Sequence, residues 1–341
     1  MRRLALLPLL VLAVVQPASA AKPASWAQPQ IKLVTAHGLM GGDPQPSVFR
    51  PDDPLTQGAL ADLVAGLTEQ PLVAAAVPAT PVTITQLDAK LVNGLGLAET
   101  ASAFARAARA AGLRPPARFG TEVVARLLGL RTNHPAGQDA LELRPSDAAT
   151  RAEAAFSAAR VLQLSGGEQE RLAEQAASLE LPTLTPWQAT VLQTAVRFIG
   201  YPYVWGGERE VPTTAAAPFG AQVQGGFDCS GFVWRVYKLE AYPGAPQLAE
   251  TLRGRTTMAM SGEVPKAQRI AVTALQPGDV LFFGVHGVGS KPAEIDHTAI
   301  YLGSGWLIQS SAYGVAVARF EGWYARRFAW ARRPLAEAHL A

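Results

Sequence analysis

Gly226-Phe227-Asp228-Cys229-Ser230-Gly231-Phe232-Val233 holds the only cysteine in a chain of 341 residues and sets it at the start of an apolar helix. Phe232, Val233, Val236 and Tyr237 follow one helical face, with glycines and small polar residues before them. A sulfur at a helix start lies beside unpaired backbone N–H groups and the positive end of the helix dipole, which favour thiolate over thiol. The placement therefore points to a nucleophile. A lone cysteine is otherwise a small buried hydrophobe, but Asp228 and Ser230 on either side argue against a purely apolar setting.

Working outward, the length leaves room for two domains. The formal net charge of +3 falls to +1 without Arg2 and Arg3, and no basic run is interleaved with aromatics, so no nucleic-acid partner is expected. Residues 1–20 have the form of a signal peptide: Arg2 and Arg3, an apolar run over residues 4–15, then Ala18-Ser19-Ala20 as a small-residue cleavage site. The run is short for a bilayer span, so a cleaved leader is expected in place of an anchor. No cysteine follows the cleavage site to take a lipid. The expected location is secreted, extracytoplasmic or cell-wall associated. A single unpaired thiol in an exported chain implies a chemical use for it.

Residues 21–44, rich in proline, alanine and glutamine, read as an irregular lead-in. Over residues 45–181 an all-α domain is expected. Arg50-Pro51-Asp52-Asp53-Pro54-Leu55-Thr56 and Arg144-Pro145-Ser146-Asp147-Ala148-Ala149-Thr150 share Arg-Pro-x-Asp-x-x-Thr, and each opens an alanine-rich helix whose first turn the threonine caps. A third copy begins near Val82, with Thr85 before Leu87, Leu91, Leu95 and Leu97. Thr150-Arg151-Ala152-Glu153 coincides with the Thr-Arg-Ala-Glu signature of surface-layer homology (SLH) repeats, and residues 45–165 resemble that family of three-repeat helical wall-binding units. The resemblance implies that Arg151 binds an acidic wall polysaccharide. Equally, Arg151 reads as a solvated first-turn residue, with Glu153 at the third position of a capping box headed by Thr150. The other copies lack the arginine.

Leu181-Pro182-Thr183-Leu184-Thr185-Pro186 breaks the chain, so a second domain is expected over residues 182–341. Residues 187–200 read as an amphipathic helix that stops at Gly200. Tyr203-Val204-Trp205-Gly206-Gly207 is extended and leads through a Gly/Pro-rich stretch to Cys229. Pro277-Gly278-Asp279 is a turn before a short buried strand at 280–283. Residues 296–309 read as a β-hairpin turning at 303–305. With a three-residue loop, His297 and Gln309 share a face; a two-residue loop separates them. A thiol nucleophile needs a base, and the base needs a partner to hold its ring. His297 and Gln309 fit these roles, with His286 as the rival base.

In this order the motifs resemble the NlpC-type peptidoglycan endopeptidases, papain-like cysteine enzymes. That resemblance, over about residues 187–335, implies an α+β fold with N-terminal helices packed on a small antiparallel sheet. It implies Cys229 as nucleophile, His297 as base and Gln309 as third member, with Tyr203, Asp228 and Ser230 lining the substrate pocket. The insert at 208–224 and the loop at 284–294 depart from the family and are expected to rim the cleft. The expected reaction is hydrolysis of an amide bond in the peptidoglycan stem peptide, between D-Glu and the diamino acid, through a thioester. Two alternatives use the same residues: an inactive wall-binding protein, or an acyltransferase or amidase on this fold. No metal or other cofactor is expected, since cysteine and histidine fall in no ligand cluster.

Overall fold

The computed structural model describes residues 25–41, 49–71, 79–217 and 219–341, so the expected signal peptide lies outside the described residues. The N-terminal half contains helices α1 (Gln28–Ala36), α2 (Gln57–Leu67), α3 (Ile84–Gly94), α4 (Ala98–Ala110), α5 (Phe119–Leu127), α6 (Arg151–Leu162) and α7 (Gly166–Ala177). Thr56 and Thr150 cap α2 and α6 as expected, their side chains accepting the N–H groups of Ala59 and Glu153. The third copy is displaced by two residues. Thr83, not Thr85, caps α3, because Thr83 and Gln86 form a reciprocal capping box while the Thr85 hydroxyl donates to the Pro145 carbonyl at 3.0 Å.

The residues just before the three caps close a ring of backbone hydrogen bonds. Leu55 N–H donates to Ala149 O at 2.8 Å, Ala149 N–H to Val82 O at 2.8 Å, and Val82 N–H to Leu55 O at 2.9 Å. All three residues are buried, so the repeats meet around a pseudo-threefold centre. The irregular lead-in expected over 21–44 is corrected by α1. Its Ala27, Ile31 and Val34 are buried, α1 packs on α6, and Trp26 stands edge-on to His134 at 4.5 Å. Its helical spacing was masked by the proline-rich composition around it.

Helix α8 (Pro186–Arg197) opens the C-terminal half with a Thr185–Gln188 capping box. Strands β1 (Glu208–Arg209), β2 (Thr213–Ala217), β3 (Gly220–Gln222) and β4 (Gly226–Phe227) form two small antiparallel ribbons, β1 with β4 and β2 with β3. The 208–224 insert is therefore largely extended. Helices α9 (Cys229–Trp234), α10 (Leu248–Thr251) and α11 (Thr257–Gly262) follow. Strands β5 (Val280–Gly284), β6 (Ile295–Gly303), β7 (Trp306–Ser311), β8 (Gly314–Arg319) and β9 (Phe328–Arg332) make an antiparallel sheet in the order β8-β7-β6-β5-β9, with α12 (Trp323–Arg327) before its last strand.

The break near residue 182 separates the chain but not the packing. Phe104 of α4 stands edge-on to Trp306 of β7 at 5.8 Å, and one contiguous apolar core runs through both halves. Arg126 of α5 donates to Gly200 O at 2.5 Å and to Tyr313 O, and Arg118 donates to Ile199 O at 3.0 Å and Arg197 O at 2.7 Å.

Candidate active site

Cys229 is the first residue of α9, and Asp228 is the cap. Its Oδ1 accepts the Gly231 N–H at 2.5 Å and the Ser230 hydroxyl at 3.0 Å. The helix start lies so close to the 204–207 segment that a Cβ on Gly231 would sit 1.9 Å from Gly207 O. Only glycine fits there. Beneath this junction is Arg255, which the motif reading missed. Its Nε donates to Glu208 at 2.8 Å, Nη1 to Ser230 at 2.8 Å and Asp228 at 3.1 Å, and Nη2 to Gly206 O at 3.1 Å and Gly207 O at 3.0 Å. Charge balance was the available signal, because two acids carried into the interior need a buried cation. Asp228 and Ser230, expected to face substrate, are themselves buried and engaged by Arg255.

The β6–β7 hairpin pairs Ile300 with Ile308 and Tyr301 with Leu307, then shifts to Gly303 with Trp306. Ser304 and Gly305 thus form a two-residue turn, the length expected to separate His297 from Gln309. A bulge at Leu302 restores the parity, helped by positive φ at Gly303 (108°), Ser304 (50°) and Gly305 (77°). His297 and Gln309 are consequently on one face and hydrogen-bonded, with Nε2–H donating to the Gln309 side-chain oxygen. The Gln309 amide donates onward to the Tyr324 hydroxyl and to Ser311 Oγ at 3.4 Å, which orients the amide and fixes the imidazole tautomer. Nδ1 is left for other work.

The Thr298 N–H, one residue along β6 from His297, faces the Cys229 sulfur and favours its charged form. His286, the rival base, is exposed and lies 3.9 Å from Glu294.

Burial first, then the charge of Asp228, pushes the Cys229 thiol up to about 12, although N–H groups of Thr298 and Ser230 and the Arg255 charge oppose this. The expectation of a thiolate at rest is therefore corrected. Desolvation of the buried sulfur outweighs the dipole at the helix start. His297 lies among Phe283 and Trp323, each with ring centroid 5.7 Å away, and Tyr324 at 6.3 Å. Burial there pushes it down to about 4, against the opposing hydrogen bond to Gln309. Thiol and imidazole are both neutral at rest near pH 7. The Tyr203 hydroxyl is raised by burial and next by the charge of Cys229, which puts it within electrostatic reach of the sulfur.

Exposed aromatics stand on the insert side, with Trp205 61% exposed and Phe219 45% exposed, their rings 6.4 Å apart. The 284–294 loop carries exposed Val288. Arg151 lies elsewhere: it donates to Met40 O at 3.1 Å, stacks over Phe49 at 4.7 Å and borders a groove of about 640 Å³ shared with residues 38–41, Asp62 and Glu69. Among the described residues no helix is long and apolar enough to cross a membrane, and no group of three or more His, Cys, Asp or Glu could hold a metal ion.

Residues 200–333 match the NlpC/P60 family, and residues 20–61 match the S-layer homology domain. The chain therefore carries an NlpC/P60 domain of α+β fold behind an S-layer homology region, which starts earlier than the repeat expected from residue 45 and takes in α1. It is 35% identical over 130 residues to the "Probable endopeptidase Rv2190c" of Mycobacterium tuberculosis (strain ATCC 25618 / H37Rv), covering 38% of this chain and 25% of that protein. It is 33% identical over 138 residues to the "Murein DD-endopeptidase MepH" of Escherichia coli (strain K12), covering 40% of this chain and 41% of that one. It is 27% identical over 151 residues to the "Gamma-D-glutamyl-L-lysine dipeptidyl-peptidase" of Bacillus subtilis (strain 168), covering 43% of this chain and 40% of that one. The chain thus spans well under half the length of each of these relatives.

Proposed function

We propose that this chain is an exported, wall-associated cysteine endopeptidase that hydrolyses an amide bond in the peptidoglycan stem peptide, between D-Glu and the diamino acid. The observation that carries this reading is the His297–Gln309 hydrogen bond beside the single cysteine. Because thiol and imidazole are neutral at rest, the sulfur gives its proton to His297 Nδ1 as it attacks the amide carbon. The Cys229 N–H, at the helix start, holds the oxyanion. His297 then protonates the leaving amine and a thioester forms. Water, deprotonated by His297, attacks the thioester and releases the acid. Gln309 keeps the ring aligned but stabilises the imidazolium less than a carboxylate would. Tyr203 lines the substrate side, while Asp228 and Ser230 shape it from beneath through Arg255.

The names of the Bacillus subtilis and Escherichia coli relatives point to different stem bonds, and the former supports the D-Glu bond. Mass spectrometry of fragments released from peptidoglycan by wild type and Cys229→Ala tests the reading. Free stem dipeptides from the wild type alone are expected. Equally poor digestion by both, with both pelleting on the wall, would make the protein an inactive wall binder. Intact stems carrying new acyl groups would make it a transferase. Arg151 is assigned to an acidic wall polysaccharide, and Arg151→Ala is expected to weaken co-sedimentation with walls while leaving cleavage of a soluble stem peptide unchanged.

A further inference from the structure

We propose that the helical half completes the active site, with Asn133 and Asp139, between α5 and α6, as positioning residues for the reaction proposed above, on which this inference rests. Asn133 straddles both walls of the site. Its side-chain N–H donates to Ser311 O at 2.7 Å, and its side-chain oxygen accepts the Tyr203 N–H at 3.4 Å. Ser311 is two residues beyond Gln309, and its hydroxyl accepts from the Gln309 amide. One side chain thus spans the backbone of the tyrosine wall and the strand that aligns His297. Two residues past Tyr203, Trp205 N–H donates to Asp139 Oδ2 at 3.0 Å.

The segment that carries these residues is itself held firmly. Arg131 bonds Asp88 at 2.6 Å and Glu153 at 2.8 Å, all three buried, and Glu142 accepts the His134 N–H at 2.5 Å. Gln224, beside the cysteine motif, donates to Glu142 O at 2.7 Å. A rigid support bonded to the backbone beside Tyr203 and Gln309 sets their placement to a fraction of an ångström, the scale on which reacting groups must be aligned.

Full-length variants test this. Asn133→Ala loses both bonds, Asn133→Asp keeps the acceptor for Tyr203 N–H and loses the donor to Ser311, and Asp139→Ala loses the acceptor for Trp205 N–H. The readouts are kcat and KM on a soluble stem peptide, the pH profile of iodoacetamide alkylation, which reports Cys229 alone because the chain has one cysteine, and Tm. Asn133→Ala is expected to lower kcat about 10- to 100-fold with little change in KM and a displaced alkylation profile. Asn133→Asp, which turns an oxygen toward the Ser311 carbonyl, should also lower kcat, and Asp139→Ala should lower kcat with little change in KM. A folded Asn133→Ala with wild-type kcat and alkylation profile would overturn the proposal. If Asn133→Ala does not fold, Asn133→Asp decides by the same two readouts. If wild type cleaves no stem peptide, the endopeptidase reading fails on its own, and the alkylation profile still tests the positioning.

Discussion

Asp228 both places the sulfur and works against its ionisation: the carboxylate caps α9, and its charge is the second cause, after burial, that raises the Cys229 thiol. Asp228→Asn keeps an oxygen for the cap and removes the charge. Alkylation of Cys229 at pH 8 should therefore speed up, while thermal stability falls because Arg255 is left with Glu208 as its remaining close anion. His297, pushed down to about 4, keeps a neutral ring well below the usual histidine range, so the acid limb of kcat/KM should fall near pH 4 and not near 6.5. Stability linked to this histidine carries the opposite sign to a paired one. The unfolded chain binds its proton first, so the contribution rises with pH between about 4 and 6.5, as urea unfolding across that range would register. The pairing of His297 with Gln309 was legible because a thiol nucleophile calls for a strand histidine with a polar partner across a hairpin. Arg255 and the neutral resting pair were not, since both depend on which distant segments bury them.

The caps and the hairpin show what local pattern can carry. Arg-Pro-x-Asp-x-x-Thr marked α2 and α6 because a cap is decided within four residues. In the third copy, threonines two apart compete, and the leucine spacing serves either; the tie is broken by Gln86, which reaches back to Thr83, and by Pro145, which takes the Thr85 hydroxyl. Thr83→Ala should then cost about 1 kcal/mol in denaturant unfolding for loss of a cap. Thr85→Ala, which removes one hydroxyl bond to a distant carbonyl, should leave α3 capped, and equal loss of α3 protection in hydrogen exchange for the two variants would sink the assignment. In the hairpin the expected geometry was reached by another route, a two-residue turn plus a bulge. Bulges leave little mark on the hydrophobic alternation, which is why loop length alone could not settle it.

Across the whole molecule, Pro182 and its neighbours mark a change of architecture without marking a gap in the core. Alanine-rich faces look alike whether they pack within one half or across to the other, so the Phe104–Trp306 contact had no local signal. The two halves should unfold in one calorimetric transition. Glu122 sits at their junction, fully buried, where a Cβ on Gly200 would come within 2.5 Å of its carboxylate, and burial raises its pKa to about 7. The folded carboxyl holds its proton more tightly than the unfolded one. The Glu122 contribution to stability should accordingly fall as pH rises from about 4.5 to about 7, against that of His297, and Glu122→Gln should remove it from urea titrations. The ring joining Leu55, Val82 and Ala149 has a different kind of consequence. Each residue gives one hydrogen bond and takes one, always in the same rotational sense. Open helical arrays can grow or shrink by whole units, but a closed cycle counts: deleting one unit strands a donor and an acceptor at the buried centre, and a fourth unit would have no bond to take. The helical module is therefore an all-or-none trimer written in one chain, and duplication can multiply it only as a whole.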